Sequence, residues 1–162
     1  MKTQLLDSRR LLQLFDPIPY RKLSSGSYGT CALGVDGSVR CFGPFDAAQD
    51  WFVALETIAA SGVDLIDIAY GLGPGCGLTA SSTLLCSKHP STLASPPGVP
   101  VAPEVREIGG LARPREIIFS HSQNACTLGD CVQCWGLNGN GQLGDGTTEG
   151  SADPVVVDWG AP

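Results

Sequence analysis

Residues 30–42 of this chain read TCALGVDGSVRCF, and this stretch decides the fold. Small or apolar residues alternate with polar ones on both sides of Asp36-Gly37, a dipeptide typical of tight hairpin turns. A turn centred on Asp36 places Cys31 directly opposite Cys41. The stretch therefore predicts a β-hairpin that carries two cysteines on one face.

The same phrase occurs three times: an aliphatic residue, a Cys eight positions later and a Leu two positions after that. The copies begin at Leu23, Ile68 and Ile118, so successive copies start 45 and 50 residues apart. Self-similarity at such a period indicates a repeat architecture. Short apolar runs separated by turn residues give each unit three or four antiparallel strands, which is typical of propeller blades.

The cysteines are unusually numerous and are paired in sequence. Three pairs have matching positions in the repeats, namely Cys31 with Cys41, Cys76 with Cys86, and Cys126 with Cys134. Opposed residues have Cβ atoms about 4.5–5.5 Å apart, slightly beyond disulfide range, and local twist can close that gap. The spacing fits cross-strand disulfides, and it also fits reduced thiols packed as small hydrophobic side chains.

Composition limits the classes of partner. The chain has 162 residues, 21 Gly and 12 Pro, which favours many tight turns over long helices. Its net charge is −6 with only ten Lys and Arg, so we expect neither nucleic-acid nor membrane binding. No stretch approaches the roughly 18 apolar residues that span a bilayer. A protein partner is the remaining expectation.

Motifs that would carry chemistry are weak. Residues 139–144, GNGQLG, spell a dinucleotide fingerprint, but the DGTTEG that follows is a poor helix. The carboxylates of Asp64 and Asp67 are expected to face solvent around a strand. We expect no enzyme activity, no cofactor and no metal. A small zinc-binding or redox protein that uses Cys126, Cys131 and Cys134 is an alternative from another class.

One segment carries a specific family resemblance. Residues 134–148 read CWGLNGNGQLGDGTT and are followed by PVVV at residues 154–157. This segment resembles a repeat of the regulator of chromosome condensation family, in the bacterial form with two Cys per repeat. It is also similar to propeller-type inhibitors of β-lactamases. The match is partial in the first copy, and the second copy retains little beyond its Cys spacing, Leu78 and Ile68.

The resemblance implies an all-β fold, a partial and open β-propeller of about three blades built from short antiparallel strands. Family propellers usually close with seven blades, so three units predict a fragment, an assembling partial propeller or a decayed copy. The predicted organisation is an N-terminal segment at 1–19 with helical character, repeats over 20–157 divided at 20–62, 63–112 and 113–157, and a tail at 158–162. Residues 46–60 are read as strand or mixed structure, and residues 90–103 as an extended loop.

The functional expectation is a protein–protein interaction module that binds through rim loops, above all the loop at residues 136–148. The rim-loop binding candidates are Asn138, Asn140, Gln142 and Asp145, although these residues could instead only shape the loop and hydrogen-bond neighbouring blades. The alternative is a fragment or decayed copy of a larger propeller that acts as an enzyme inhibitor or GTPase exchange factor. Open blade faces also suggest self-association.

Two features of the sequence predict different cellular compartments. Paired cysteines favour an extracytoplasmic location, because disulfides persist where the environment is oxidising. The N-terminal residues lack the uninterrupted apolar core of a secretory signal, which favours the cytoplasm.

Overall fold

The computed structural model describes residues 18–26, 29–42, 58–59, 61–71, 75–88, 104–120 and 124–160. The predicted N-terminal helix, most of residues 46–60 and the predicted loop at 90–103 lie outside these ranges. Within them the protein is built from eleven β-strands, and helical geometry is confined to residues 58–59. No helix in the described part of the chain is long and apolar enough to cross a membrane.

The strands form three antiparallel sheets in chain order, which we call blades 1, 2 and 3. Blade 1 contains β1 (Tyr20–Gly26), β2 (Gly29–Gly34) and β3 (Val39–Phe42). Blade 2 contains β4 (Leu65–Tyr70), β5 (Gly75–Thr79), β6 (Leu84–Lys88) and β7 (Glu104–Ile108). Blade 3 contains β8 (Glu116–Phe119), β9 (Ala125–Leu128), β10 (Val132–Gly136) and β11 (Ser151–Val156).

The blades meet along their first strands, since β1 contacts β4 and β4 contacts β8. Each blade is a meander in which consecutive strands pair with each other, and its first strand lies at one edge. Short strands, tight turns and edge strands facing a shared axis are the features of a propeller. The predicted all-β partial propeller is therefore confirmed.

The hairpin register predicted from the cysteines is also confirmed. The central hairpin of every blade pairs its two cysteines directly, Cys31 with Cys41, Cys76 with Cys86, and Cys126 with Cys134. Each pair is joined as a disulfide. Cys131 is a half-buried free thiol. The bond between Cys126 and Cys134 occupies two of the three sulfurs that a zinc or redox centre here would use.

Stacking of the blades buries two hydrophobic cores. Between blades 1 and 2, the face of blade 1 that carries its disulfide packs Leu33 and Val39 against Ile68 and Tyr70. Between blades 2 and 3, the disulfide face of blade 2 is covered in the same way. That second core includes Cys76, Leu78, Leu84, Cys86, Ile117 and Trp135. In both cases the disulfide face of one blade receives the following blade.

The first strand of blade 3 departs from the repeat read in the sequence. Ile68 lies opposite Gly77, whereas Ile118, which has the same spacing to its cysteine, lies opposite Cys126 itself. The loop between β8 and β9 is one residue longer than the loop between β4 and β5. A one-residue slip turns every side chain to the other face. Ile117 therefore replaces Ile68 in the core, and Ile118 points outward.

Asp67 corrects a second expectation, because its side chain is buried while that of Asp64 is exposed. Its Oδ1 accepts a hydrogen bond from Ile68 N at 2.8 Å and lies 3.0 Å from Lys22 Nζ. Its Oδ2 accepts a hydrogen bond from Ile117 N at 3.0 Å. Asp67 pairs with Leu78 on the face of blade 2 that blade 3 covers, whereas Ile68 lies on the face that blade 1 covers, so both side chains are buried. One carboxylate thus links β1, β4 and β8.

Candidate functional site

The loop at residues 136–148, which we call the rim loop, leads from β10 towards β11 at one rim of blade 3. It leaves β10 at Gly136, whose φ of 116° is one that glycine adopts readily. The side-chain Nδ2 of Asn124 donates a hydrogen bond to the carbonyl of Leu137. Since Asn124 ends the connection between β8 and β9, two loops of the same rim are tied together.

Asn138 organises the rim loop from within. The side chain is fully buried, and its Oδ1 accepts a hydrogen bond from Leu143 N at 2.8 Å. Its Nδ2 lies 3.1 Å from three oxygens, which are Asp145 Oδ1 and the carbonyls of Thr147 and Glu149. The structure therefore places this predicted binding residue inside the loop, with both ends of its amide engaged.

Asp145 is engaged in the same way. Its Oδ1 accepts hydrogen bonds from Thr147 N at 3.0 Å and Thr147 Oγ1 at 2.9 Å. The backbone N–H of Thr147, with help from its hydroxyl, holds the pKa of the Asp145 carboxyl below its ordinary value of 3.8. The carboxylate is ionised at neutral pH and fixes the second half of the loop.

Asn140 and Gln142 lie on the outside of the loop, and both side chains are exposed. The Oε1 of Gln142 accepts a hydrogen bond from Asn140 N at 2.8 Å, so the two residues hold each other in place. The turn beneath them is closed by a bond from Gly141 N to Asn138 O at 2.9 Å. Of the four predicted residues, these two have exposed side chains, whereas Asn138 and Asp145 bond within the loop.

The segment after β11 is fastened to the rim loop. Asp158 N donates to the carbonyl of Gly144 at 2.7 Å. Gly144 has a φ of 64°, and a Cβ there would come within 3.0 Å of Val157, so only glycine fits without strain. Leu143, next to it, is fully buried and anchors the loop to the blade. Asp158 is consequently held beside the rim loop, and Trp159 follows it directly in the chain.

Two exposed hydrophobic side chains border this site, and the sequence did not single them out. Trp159 is 79% exposed, and Leu137 is also largely exposed. Trp159 follows the last strand, where no alternation pattern assigns a residue to a core. The signal available in the sequence was that this tryptophan lies outside every predicted strand, so no core position accounts for it. The exposed side chains in the rim loop and just after Asp158 thus include an indole, an isobutyl group and two amides.

The chemistry available to this surface is recognition. Exposed amide side chains donate and accept hydrogen bonds without changing charge near neutral pH. An exposed indole supplies a large rigid apolar surface with one N–H donor. Among the described residues, no three His, Cys, Asp or Glu side chains are grouped to hold a metal ion.

Comparisons with known proteins give a likeness of fold. No protein-family model matches the chain, and no curated protein matches it. Human WBSCR16 matches with a TM-score of 0.66 and 19% identity, over 88% of this chain and 40% of that one. Prp20p of Saccharomyces cerevisiae matches with a TM-score of 0.62 and 14% identity, over 85% of this chain and 38% of that one.

A third structure, yeast RCC1 (Prp20) bound to Kap60, matches with a TM-score of 0.60 and 14% identity, over 85% of this chain and 37% of that one. The chain therefore spans less than half the length of these structures. At such identities the likeness concerns architecture alone. It agrees with the resemblance carried by residues 134–148, and the fold of this chain is that of RCC1-type repeats.

Proposed function

We propose that this chain is a protein-interaction module without catalytic activity, which binds its partner through the outer surface of the rim loop and Trp159. The observation that carries this proposal is an exposed tryptophan held beside a loop whose interior is fixed by Asn138. Tryptophan is enriched among the residues that dominate binding energy at protein interfaces. A loop fixed before binding loses little conformational entropy when its partner arrives.

The chemistry of the partner follows from the surface. The chain has a net charge of −6, and exposed carboxylates at Glu149, Asp153 and Asp158 flank the site along the sequence. Complementary charge speeds association and selects among partners. A protein with an apolar pocket for Trp159 and a basic border would suit this surface.

Two structures of one neighbour, yeast Prp20, support a protein partner. Prp20p is described with binding properties to Gsp1p and histones, and yeast RCC1 is bound to Kap60. The bacterial form of the repeat and the similarity to β-lactamase inhibitors are predictions from residues 134–148. A β-lactamase and a small GTPase are therefore the two partners to test first.

We also propose that the protein works in an oxidising compartment. Three of its hairpins are closed by disulfides, and such bonds persist outside the reducing cytosol. Mass spectrometry of protein alkylated inside intact cells tests this point. Recovery of all six paired cysteines in the alkylated form would contradict it.

The binding proposal is tested with three forms of the chain: wild type, Trp159→Ala and Val35→Ala. Val35 is a matched control because it is an exposed hydrophobic residue in the hairpin turn of blade 1. Immobilised protein is exposed to a β-lactamase, a small GTPase and a lysate of the source organism, and captured proteins are titrated individually. We expect Trp159→Ala to weaken a captured partner at least about tenfold, since losing a dominant side chain costs about 2 kcal/mol.

Val35→Ala should bind that partner like the wild type. Equal binding by all three forms would contradict the assignment of the surface. Turnover of a β-lactam or a nucleotide by the purified chain would contradict the absence of catalysis. Accelerated nucleotide release from the GTPase would instead support the exchange-factor alternative.

A further inference from the structure

The two outermost faces of the blade array are exposed, whereas the equivalent faces inside the array are buried. Leu33 and Leu78 occupy the same place in blades 1 and 2, two residues after the first cysteine, and both are 0% exposed. Leu128 has this place in blade 3 and is 46% exposed. Ile118, on the same face because it pairs with Cys126, is 60% exposed. Within the described part of the chain, the disulfide face of blade 3 is therefore exposed where the other two are buried.

On blade 1 the opposite face is the exposed one, among the residues that the structure describes. Leu23, Ile68 and Ile117 each pair with the residue that follows the first cysteine of their blade, so they are structurally equivalent. Ile68 and Ile117 are 0% and 1% exposed, because the preceding blade packs on them. Leu23 is 65% exposed. Phe42 lies on the same face of blade 1 and is also exposed.

These two surfaces are the separated halves of a contact that the molecule makes twice within itself. In each internal contact, a disulfide face with its leucine meets a face with an aliphatic residue on the first strand. Blade 3 offers the first half, with Ile118 and Leu128, and blade 1 offers the second half, with Leu23 and Phe42. Leu128 corresponds to Leu33 and Leu78, and Leu23 corresponds to Ile68 and Ile117. Aliphatic side chains at these equivalent places suit an external contact of the same kind.

We propose that two copies of this chain associate head to tail, with the disulfide face of blade 3 of one copy packed against the Leu23 face of blade 1 of the other. Such a contact is heterologous, so it forms a ring if the rotation closes and a filament if it does not. Two copies of three blades supply six, which lies within the four to eight blades of closed propellers. This inference does not depend on the rim loop or on Trp159.

The test is the solution mass of the full chain by sedimentation velocity, at concentrations up to about 100 μM, where interfaces of micromolar affinity are occupied. Three variants are compared with the wild type. Leu23→Asp alters the face of blade 1, and Ile118→Asp alters the face of blade 3. Val35→Asp is the control, because it adds the same charge at an exposed hydrophobic residue of a hairpin turn.

We expect the wild type and Val35→Asp to sediment with twice the 16.8 kDa of one chain, and both face variants to sediment as monomers. A one-to-one mixture of Leu23→Asp and Ile118→Asp should recover dimers, because one of its two possible contacts joins two unaltered faces. Larger open assemblies of the wild type, abolished by either variant, would also support the head-to-tail contact.

A monomeric wild type at the highest concentration would overturn the proposal. A dimer that Ile118→Asp breaks and Leu23→Asp leaves intact would also overturn it, since that pattern belongs to a symmetric contact of blade 3 with itself. Thermal melts of the variants exclude unfolding, which is not expected because both altered side chains are exposed. Loss of partner binding by Trp159→Ala would leave the dimer unchanged, so the two proposals fail separately.

Discussion

Asp67 and Asn138 are both buried polar side chains with several hydrogen-bond partners, yet they organise the molecule on different scales. Asn138 bonds to residues at most eleven positions away, within one loop of blade 3. Asp67 reaches Lys22 and Ile117, which lie 45 and 50 positions away on the first strands of the other two blades. The first side chain shapes a surface, and the second joins three sheets.

The two side chains differ in which groups lose a hydrogen-bond partner when the side chain is removed. Loss of the amide of Asn138 leaves polar groups of a single loop without their hydrogen-bond partner. These groups lie near the surface and can turn to bond with water instead. Loss of the carboxylate of Asp67 leaves an ammonium group and two backbone N–H groups without their acceptor at a blade junction. We therefore expect the effect of Asp67 to be global and that of Asn138 to be local.

The largest expected effect comes from Asp67→Ala. Breaking a buried ion pair costs about 3–5 kcal/mol, and we expect about 3 kcal/mol here because the Lys22 side chain is partly exposed. Chemical denaturation measures the change in free energy of unfolding. Asp64→Ala removes an exposed carboxylate three residues away and should change it little. Equal effects of the two variants would contradict the role assigned to Asp67.

The second effect concerns the disulfide Cys76–Cys86, whose sulfurs are buried between blades 2 and 3. Closing a loop of this length stabilises a chain by about 2–3 kcal/mol in the entropic account. We expect that loss when both cysteines are changed to Ala, measured by the same denaturation. Cys131→Ala, which removes the free thiol, is the control and should leave the transition in place. A double variant as stable as the control would show that the hairpin is not stabilised by its bond.

The third effect is that of Asn138→Ala, at about 1–3 kcal/mol, the cost of leaving buried donors and acceptors unsatisfied. Hydrogen exchange should locate it: amides of residues 140–149 should exchange faster, and those of β4 and β5 should not. Asn140→Ala removes an exposed amide from the same loop and should leave exchange unchanged. Faster exchange throughout all three blades would contradict the expected difference between a local effect of Asn138 and a global effect of Asp67.

The sequence predicted the parts of this fold that depend on local alternation. The hairpin register at Cys31 and Cys41 follows from a turn of fixed length and a period of two residues. The position of Ile118 does not follow, because it depends on one additional residue in the connection after it, between β8 and β9. Asp67 was misread for a different reason, since blade 2 is covered on both faces and a polar residue that alternates with Ile68 is buried against blade 3.

The sequence predicted the position of the candidate site in the chain more accurately than it predicted which side chains form its surface. Glycines and amides mark residues 136–148 as a built loop, but composition does not say which amides point inward. Asn138 and Asp145 bond within the loop, while Asn140 and Gln142 face outward. Trp159 was missed because it follows the last strand, and its place beside the loop depends on the bond from Asp158 N to Gly144 O.

The smallest expected effect is a dependence of the rim loop on acid. The pKa of Asp145 is lower in the folded chain than its ordinary value of 3.8, chiefly because the backbone N–H of Thr147 donates to the carboxylate. Its contribution is therefore complete above pH 3.8 and is lost as the pH falls through the lower, folded pKa. The protection of amides between residues 143 and 149, which is their exchange rate relative to that of an unfolded chain at the same pH, should fall in that acidic range. Asp145→Asn should remove this dependence, whereas Asp153→Asn, which removes the same charge outside the loop, should retain it. A loss of protection that is already complete above pH 5 would place the titrating group elsewhere and would leave Asn138 as the side chain that fixes the loop.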